Sequence, residues 1–370
     1  AFCLSRGLGD VYKRQMKWIW MHMQNAHHSA QGDVARRSST NPACSSVAIH
    51  QAAGKGSFAT TKREISALVK TGQLVAEGQS RATRYRISTT SQLFIPIDLA
   101  SYFEKEIDER EIQSDFNFSL ITDVLRDVDL FTPEEASDLA QLQAEFQTNI
   151  SQISSTAYAK EMERLAIDLS WKSSQIEGNT YSLLETERLL KDKETAAGKP
   201  KDDATMLLNH KEAIHFILDN PDYVVPLSIA RIEDVHSILI KDLEVEPNIR
   251  QRRVGISGTN YKPLDNEHQI REALEDMCRL INRKENVFEK TLLALVLLSY
   301  IQPFNDGNKR TARIISNALL IANHYCPISF RTVDALAYKK AMLIFYEQNT
   351  ISAFKKLFIE QFRFAVKTYF

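Results

Sequence analysis

The sequence has few cysteines, no long hydrophobic run and almost no net charge. Its four cysteines have no CxxC spacing and no paired pattern, which argues against a disulfide framework or a cysteine zinc site and predicts a reduced, cytoplasmic chain. The longest unbroken apolar run, Leu292 to Leu298, is much shorter than a membrane span, so no membrane partner is predicted. The net charge of −1 gives no global attraction to nucleic acid, so such binding would need a local patch.

The rest of the composition is that of a globular chain. Hydrophobic residues make up 44% and charged residues 25%, which is ordinary for a protein that buries a core. A length of 370 residues is enough for two or three domains. The assembly is left open by the sequence, with a homodimer among the possible states.

The N-terminal segment is set apart from the fold. Ser5 to Gln15, SRGLGDVYKRQ, matches the in-frame translation of a transposase adapter used in sequencing libraries, the alternative being a natural basic tail. Residues 1–15 are therefore not expected to belong to the fold, and Met16 is a candidate for the first residue of the natural protein. Residues 16–44 are polar and are predicted to be disordered or loop, and the adjacent His27 and His28 do not by themselves indicate a metal site.

Residues 45–92 have the layout of a helix followed by a basic hairpin. Ile65, Leu68 and Val69 share one helical face, with Thr60 or Thr61 as the predicted N-cap. A short strand, a turn and an alternating strand follow. This resembles a winged helix-turn-helix, which would place DNA-binding side chains on the helix and the wing. The predicted DNA-binding residues are Lys62, Arg63, Arg81, Arg84 and Arg86, and the alternative is a small solvated module for protein contacts.

The remainder of the chain is predicted to be helical. Residues 93–165 form a helical linker region, in which Thr132 is a predicted N-cap with acidic residues in the first turn. Residues 166–370 form a second domain. Within it, residues 252–266 (RRVGISGTNYKPLDN) carry Gly, Pro and Asn among β-forming residues and are predicted to be a hairpin. We call these residues the flap segment.

Residues 300–313, YIQPFNDGNKRTAR, have the pattern of a phosphate site. A Gly-Asn turn at a helix N-terminus presents free N–H groups and the positive end of the helix dipole to an anion. Asp306 at this turn can hold Mg²⁺ bridging the phosphates, and Arg310 and Arg313 lie on one face, where they can bind phosphate oxygens. The alternative is an ordinary capped helix, but basic residues in a first turn oppose the dipole unless an anion is bound.

This stretch resembles the signature of the Fic (Fic/Doc, Fido) family, His-x-Phe-x-Asp/Glu-Gly-Asn-Gly/Lys-Arg-x-x-Arg, except at its first position. The resemblance implies a mainly α fold, a Fic-type helical bundle with a β-hairpin flap beside the winged-helix domain. It also implies transfer of AMP from ATP, with Mg²⁺, to a hydroxyl of a target protein. The residues it assigns to catalysis and nucleotide binding are Gln302 in place of the general base, Phe304 as loop anchor, Asp306 for metal, Gly307 and Asn308 as anion hole, and Lys309, Arg310 and Arg313.

Two further stretches extend the resemblance. SSQIEGN matches the family's inhibitory motif at Ser173, Glu177 and Gly178, which implies that Glu177 pairs with Arg313 and blocks the γ-phosphate position. The flap segment matches the family's target clamp, which binds by strand addition. Its predicted contact residues are Gly255, Ile256, Ser257, Gly258 and Tyr261. His236 and Asn209 are interpreted as structural.

Two residues leave the activity open. Lys309 is shared with the phosphorylating Doc-like branch of the family, which bears on the transferred group. Gln302 cannot take up a proton, and a positioned general base is worth roughly 10² to 10⁴ in rate. Three hypotheses follow: an altered transferase, a hydrolase in which Gln302 orients water, and a nucleotide-binding pseudoenzyme that regulates transcription through its DNA-binding module.

Overall fold

The computed structural model describes residues 43–53 and 57–370. The predictions for residues 1–15 and for most of 16–44, including His27 and His28, therefore lie outside the described residues. The helices and strands within the two ranges are α1 Ser46–Ala53, α2 Phe58–Lys70, β1 Leu74–Glu77, β2 Arg84–Ile87, α3 Thr89–Gln92, α4 Leu99–Tyr102, α5 Pro133–Gln152, α6 Ser155–Ile176, α7 Leu183–Asp192, α8 Lys201–Asp219, α9 Ile229–Leu239, α10 Glu267–Arg283, α11 Val287–Ile301, α12 Asn308–Ala322, α13 Ala335–Gln348 and α14 Ser352–Tyr369.

The chain divides into two compact units. The first comprises the described residues up to Ser114, together with Gly258–Tyr261 and Leu343–Ala353. The second comprises Asp115–Ser257, Lys262–Met342 and Phe354–Phe370. The domain boundaries predicted from the sequence, after residues 92 and 165, remain predictions.

The N-terminal part of the first unit is a small module of two helices and a hairpin. Strands β1 and β2 pair antiparallel, with Leu74 opposite Ile87. The buried apolar side chains of the helices and the strands form one cluster, so the module has its own core. This cluster consists of Cys44, Ile49, Ile65, Leu68, Leu74, Ile87 and Ile95.

The start of helix α2 differs from the prediction. The N-cap is Ser57, whose side chain accepts a hydrogen bond from the Thr60 N–H, and not Thr60 or Thr61. Thr61 is instead buried, where its hydroxyl lies 2.9 Å from His50 Nδ1. The earlier serine caps the helix because its backbone is extended, as an N-cap requires.

The second unit is helical, and its central element is α12. This helix contacts α6, α8, α9 and α11, and most of its residues are buried. Helix α11 is apolar on all sides and buried, as its sequence predicts. The predicted cap of α5 is present, since Thr132 and Glu135 form a capping box with Pro133 at the first turn.

The flap segment is not a hairpin, contrary to the prediction. It contains a turn at residues 257–258 and otherwise extended chain without a ladder. Its Lys262 forms an isolated parallel bridge with Asp115. Among the described residues the sheet of β1 and β2 is the sole sheet, so the flap segment is not part of a sheet. The helices of the described ranges include none with the length and hydropathy to cross a membrane.

Candidate functional site

The loop between α11 and α12 is held by one aromatic stack. Phe304 is fully buried, and its ring lies parallel to the imidazole of His236 with the centroids 3.6 Å apart. The His236 ring nitrogens lie 3.1 Å from the Pro247 carbonyl oxygen and 3.0 Å from the Asp306 carbonyl oxygen. Phe304 therefore anchors the loop, and His236 has the structural role interpreted from the sequence.

Gly307 begins helix α12 in a conformation that only glycine adopts easily. Its φ is +82°, and a Cβ at this position would lie 3.3 Å from two ring atoms of His236. With no side chain at this position to cap the helix, the N–H groups of the first turn remain available to an anion. The local geometry therefore suits the predicted phosphate site.

The Asn308 side chain closes the loop rather than facing outward. Its Oδ1 accepts from the Phe304 N–H at 2.8 Å, and its Nδ2 donates to the Phe304 carbonyl at 2.8 Å. The same Nδ2 donates to Gln302 Oε1 at 3.0 Å. Because the side chain is committed to the loop, the part of Asn308 that is left for an anion is its backbone N–H.

Gln302 lies at the entrance of this loop, and both ends of its amide form hydrogen bonds. Besides accepting from Asn308, it donates from Nε2 to the Ser299 carbonyl at 2.6 Å. Its backbone is left-handed, with φ of 52°, and its side chain is buried. Gln302 thus connects the end of α11 to the start of α12, in addition to having no group that takes up a proton.

Arg250 is a site residue that the sequence analysis missed. It is 1% exposed, and its guanidinium donates to the carbonyls of Gln302 at 2.6 Å, Arg252 at 2.8 Å and Leu264 at 2.5 Å. One side chain therefore connects the loop before α12 to both ends of the flap segment. The signal that could have found it, an arginine just before a predicted clamp, does not distinguish Arg250 from its neighbour Arg252.

Asp306 and Arg310 form an ion pair on the first turn of α12. Arg310 Nη2 donates to Asp306 Oδ2 at 2.7 Å, with side chains that are 1% and 66% exposed. Mg²⁺ in nucleotide sites is held by one or two carboxylates together with the substrate phosphates. A single exposed carboxylate beside an anion site fits such an ion, while no cluster of three ligating side chains occurs in the described part of the chain.

Arg313 is engaged by the predicted inhibitory motif. Its Nη2 donates to Glu177 Oε1 at 2.8 Å and to the Ser173 carbonyl at 2.9 Å. Its Nε donates to the Ser173 hydroxyl at 2.8 Å. We call Ser173, Glu177 and Arg313 the latch. Gly178 follows it with φ of +104°, which allows the chain to turn away directly after Glu177.

Glu177 is ionised in the latch because two cations face it. Lys309 Nζ lies 3.2 Å from Oε2, and Arg313 occupies the other oxygen. Burial opposes the charge, but Arg313 and Lys309 outweigh it and lower the pKa of Glu177 to about 2. Relative to an ordinary value of 4.5, this corresponds to ~3 kcal/mol in favour of the ionised form.

His210 supports the latch from helix α8. Its Nε2 lies 2.6 Å from the Ser173 hydroxyl oxygen. Burial, and then the charges of Arg313 and Arg310, lower its pKa well below the ordinary value, so the ring is neutral. A neutral ring with its proton on Nδ1 can accept the Ser173 proton while the same hydroxyl accepts from Arg313.

Buried polar atoms without a hydrogen-bond partner are concentrated around α12. Such atoms are rare in folded proteins, so each one needs an explanation. Those on or near the latch are Arg310 Nε and Nη1, Thr311 Oγ1, His210 Nδ1 and Ser174 Oγ. Most of these atoms belong to hydrogen-bond donors, so the region has unused capacity to bind a ligand that is rich in acceptors.

The predicted flap residues are divided between the two units. Gly255, Ile256 and Ser257 belong to the second unit, and Gly258 and Tyr261 to the first. Residues 255, 257 and 258 are exposed, whereas Tyr261 is buried.

The predicted DNA-binding residues lie on the N-terminal module. Lys62 and Arg63 are exposed on α2, and Lys62 Nζ lies 4.9 Å from the centroid of the Phe58 ring. Arg84 and Arg86 are exposed on β2. Arg86 forms an exposed ion pair with Glu77 at 3.3 Å. The side chain of Arg81 lies outside what the structure describes. DNA binding by these residues remains a prediction.

Comparison with known proteins finds relatives for part of this chain. Residues 226–320 match the model of the Fic/DOC family. "Protein adenylyltransferase fic-1" of Caenorhabditis elegans is 24% identical over 181 residues, which is 47% of this chain and 35% of that protein. "Protein adenylyltransferase Fic" of Nematostella vectensis is 29% identical over 177 residues, 45% of this chain and 40% of that protein. The matched region is thus less than half of these relatives' length.

Solved structures show the same fold. A structure of C. elegans Fic-1 (residues 134–508) aligns with a TM-score of 0.57 at 19% identity, covering 64% of this chain and 72% of that one. A Fic domain containing signaling protein from Bacteroides thetaiotaomicron aligns with a TM-score of 0.54 at 18% identity, covering 63% and 95%. The predicted mainly helical Fic fold is confirmed.

Proposed function

We propose that this chain transfers AMP from ATP to a hydroxyl side chain of a target protein and that the latch keeps this activity low. The observation that supports it most directly is the first turn of α12. There, free N–H groups, Lys309, Arg310 and Arg313 surround a position that an anion would fill, and several of the buried donors have no partner. A triphosphate supplies the acceptors that these donors lack.

The latch inhibits because Glu177 occupies the cationic groups that would otherwise bind the γ-phosphate. Glu177 takes one Nη of Arg313 and the ammonium of Lys309, so a γ-phosphate must displace a carboxylate from both. The pKa of Glu177 lies below its ordinary value, so the charge that closes the latch is present above pH 4.5 and is lost only as the pH falls toward 2. The strength of the inhibition should therefore not change with pH in the neutral range.

The chemical step forms a bond between the target hydroxyl oxygen and the α-phosphorus of ATP, while the bond to pyrophosphate breaks. The hydroxyl proton passes to solvent, because Gln302 cannot take it up, and pyrophosphate leaves with the charge of the broken bond. Mg²⁺ held by Asp306 would neutralise charge on the phosphates. Arg310 and Arg313 bind the leaving phosphates, and the first-turn N–H groups stabilise the charge that develops on them.

Intact-mass spectrometry of Glu177→Gly after incubation with Mg²⁺ and ATP tests this proposal. We expect a gain of one or more AMP units on the chain itself, absent or weaker in the unsubstituted protein, because removal of the carboxylate frees Arg313. Glu194→Gly is the matched control, since Glu194 is an exposed glutamate paired with Arg188 and remote in sequence from the latch.

The other mass-spectrometry results separate the remaining hypotheses. A gain of phosphate would assign the chain to phosphoryl transfer, the chemistry that Lys309 shares with the Doc-like branch. Free AMP with no mass gain would indicate a hydrolase. If Glu177→Gly binds ATP but neither gains mass nor releases AMP, transfer is rejected.

One observation favours a nucleotide sensor as the second candidate. Gln302 replaces a base with a side chain whose amide is fully engaged in the loop, which keeps the binding geometry without the proton transfer. In this case the N-terminal module would be the output, binding DNA under the control of ATP.

Arg84→Ala combined with Arg86→Ala tests the DNA output. If both side chains contact phosphates, we expect lower affinity for duplex DNA and a decrease of about 2 in the slope of log affinity against log salt, because each phosphate contact contributes about 0.9. Fluorescence anisotropy over a salt series measures this, with exposed Arg126→Ala as control. Unchanged slope, or no binding at low salt, would make the module a protein-contact domain.

A further inference from the structure

The tip of the flap segment is held within the first unit by a buried ion pair. We call residues 258–261 the flap tip. Arg110 Nη2 donates to the Gly258 carbonyl at 2.6 Å, and its Nη1 lies 3.2 Å from Glu347 Oε1. The side chains of Arg110 and Glu347 are 3% and 0% exposed. A guanidinium in the interior thus binds one carboxylate and one flap carbonyl at the same time.

The ion pair is itself fixed by the groups around it. Tyr102 Oη donates to Glu347 Oε2 at 2.7 Å, and the Arg110 guanidinium carbon lies 5.0 Å from the centroid of the Phe103 ring. The Gln113 N–H donates to the Glu347 carbonyl at 2.9 Å. Arg110 therefore has little freedom, and the Gly258 carbonyl it binds is held in one position.

Two other contacts connect the flap tip to the same part of the unit. Asn260 Nδ2 donates to Asp108 Oδ1 at 2.8 Å on the surface. The rings of Tyr261 and Tyr346 stack with centroids 5.5 Å apart. Gly258 has φ of +90°, which turns the chain sharply at the point where Arg110 binds it. Three contacts of different chemistry thus act on four consecutive residues.

Stability alone is a weak explanation for this pair. Desolvation of two buried charges offsets most of their attraction, and an apolar pair of similar size is often as stable. A buried guanidinium, however, fixes its acceptors in direction as well as in distance, because its donors form a rigid planar fork. This favours a role in positioning the flap tip.

We propose that Arg110 is a positioning residue that fixes the flap tip in the form that receives the target protein. This rests on the proposed function and on the target clamp that the family resemblance implies, in which an extended target segment adds as a strand to the flap segment. A receiving edge that is already ordered avoids the entropy cost of ordering it on binding. Segment 102–113, which links the N-terminal module to the rest of the chain, thereby controls target binding without contacting ATP.

Hydrogen–deuterium exchange of Arg110→Lys tests the positioning role. Lysine keeps the charge beside Glu347 but has no fork to hold Gly258 as well. We expect deuterium uptake in peptides covering residues 255–264 to be faster by about tenfold or more, since hydrogen bonds to charged groups are the stronger ones. Arg126→Lys, at an exposed arginine, is the control and should leave that uptake unchanged.

A milder variant covers the case in which Arg110→Lys does not fold. Tyr102→Phe removes the hydrogen bond to Glu347 and keeps the ring, so it should increase uptake in the same peptides by a smaller factor. Unchanged uptake at residues 255–264 in a folded Arg110→Lys, or in Tyr102→Phe when Arg110→Lys is unfolded, would overturn the proposal.

Activity measurements then separate this proposal from the proposed function. In the Glu177→Gly background, Arg110→Lys should leave the ATP Kd unchanged and slow AMP transfer to protein. A weakened ATP Kd would overturn the proposal, because it would show that Arg110 acts on the nucleotide site. If Glu177→Gly transfers no AMP while the exchange difference is present, the proposed function fails, and Arg110 still positions the flap tip.

Discussion

Gln302→His in the Glu177→Gly background is expected to raise the rate of AMP transfer by roughly 10² to 10⁴, the contribution of a positioned general base. Neutral imidazole has one donor and one acceptor. The donor nitrogen can keep the bond that the amide now makes to the Ser299 carbonyl, while the acceptor nitrogen must leave Asn308 and face the target hydroxyl to act as the base. Histidine is also among the residues that tolerate the left-handed backbone at this position.

The pH dependence of this gain identifies its cause. A histidine base acts only when neutral, so the rate of Gln302→His should rise with pH through about 6.5, the ordinary histidine value, and then level off. The chain with Gln302 should lack this step, because an amide does not titrate. The latch adds no slope here, since Glu177 is absent from the Glu177→Gly background.

Gln302→Met is the matched control, because it keeps the volume of the side chain and removes its hydrogen bonds. It should give no gain. An equal rate in Gln302→His and Gln302, measured as AMP incorporated per chain under saturating ATP, would show that the proton is taken up elsewhere and would count against a Fic-type mechanism in this chain.

The local parts of the site could be predicted from the sequence. Burial of α11 follows from an apolar run on all sides, and the turn at Gly307 follows from a Gly-Asn pair before a helix. The contact between Glu177 and Arg313, 136 residues apart, was predicted through resemblance to a family motif. Nothing in composition or spacing alone would have paired them.

The long-range contacts could not be predicted. Arg250 and Arg253 are two arginines in a run of basic residues, yet the first is 1% exposed and the side chain of the second is 83% exposed. The Arg250 guanidinium binds three backbone carbonyls, one of which belongs to Gln302, 52 residues further along the chain. The pair of Arg110 and Glu347, 237 residues apart, escaped prediction for the same reason.

In the flap segment the local sequence pattern was interpreted correctly, but the predicted β-hairpin was wrong. Its β-forming residues and its turn are present, and its chain is largely extended. A strand, however, is defined by a hydrogen-bonded partner, and the only ladder contact within this segment is the bridge between Lys262 and Asp115. An extended segment outside the sheet is what a target strand would need in order to pair.

Arg313→Ala is expected to weaken ATP binding by about 100-fold or more in the Glu177→Gly background, because two hydrogen bonds from a charged group are lost. Isothermal titration calorimetry with Mg²⁺ and ATP measures the Kd. Arg279→Ala, at an exposed arginine on α10, should have no effect.

The two substitutions should also be strongly non-additive. With Arg313 present, Glu177→Gly releases a guanidinium from the carboxylate. The shift of the Glu177 pKa corresponds to ~3 kcal/mol in favour of the ionised form and is shared between Arg313 and Lys309, so ATP binding should tighten by up to about 100-fold. With Arg313→Ala there is no guanidinium to release. The tightening of ATP binding by Glu177→Gly should then be smaller and should come only from removing the repulsion between the carboxylate and the phosphates. A double-mutant cycle isolates this coupling. If Glu177→Gly tightens ATP binding equally in both backgrounds, the carboxylate and the phosphate do not compete for Arg313, and Glu177 would inhibit by charge alone.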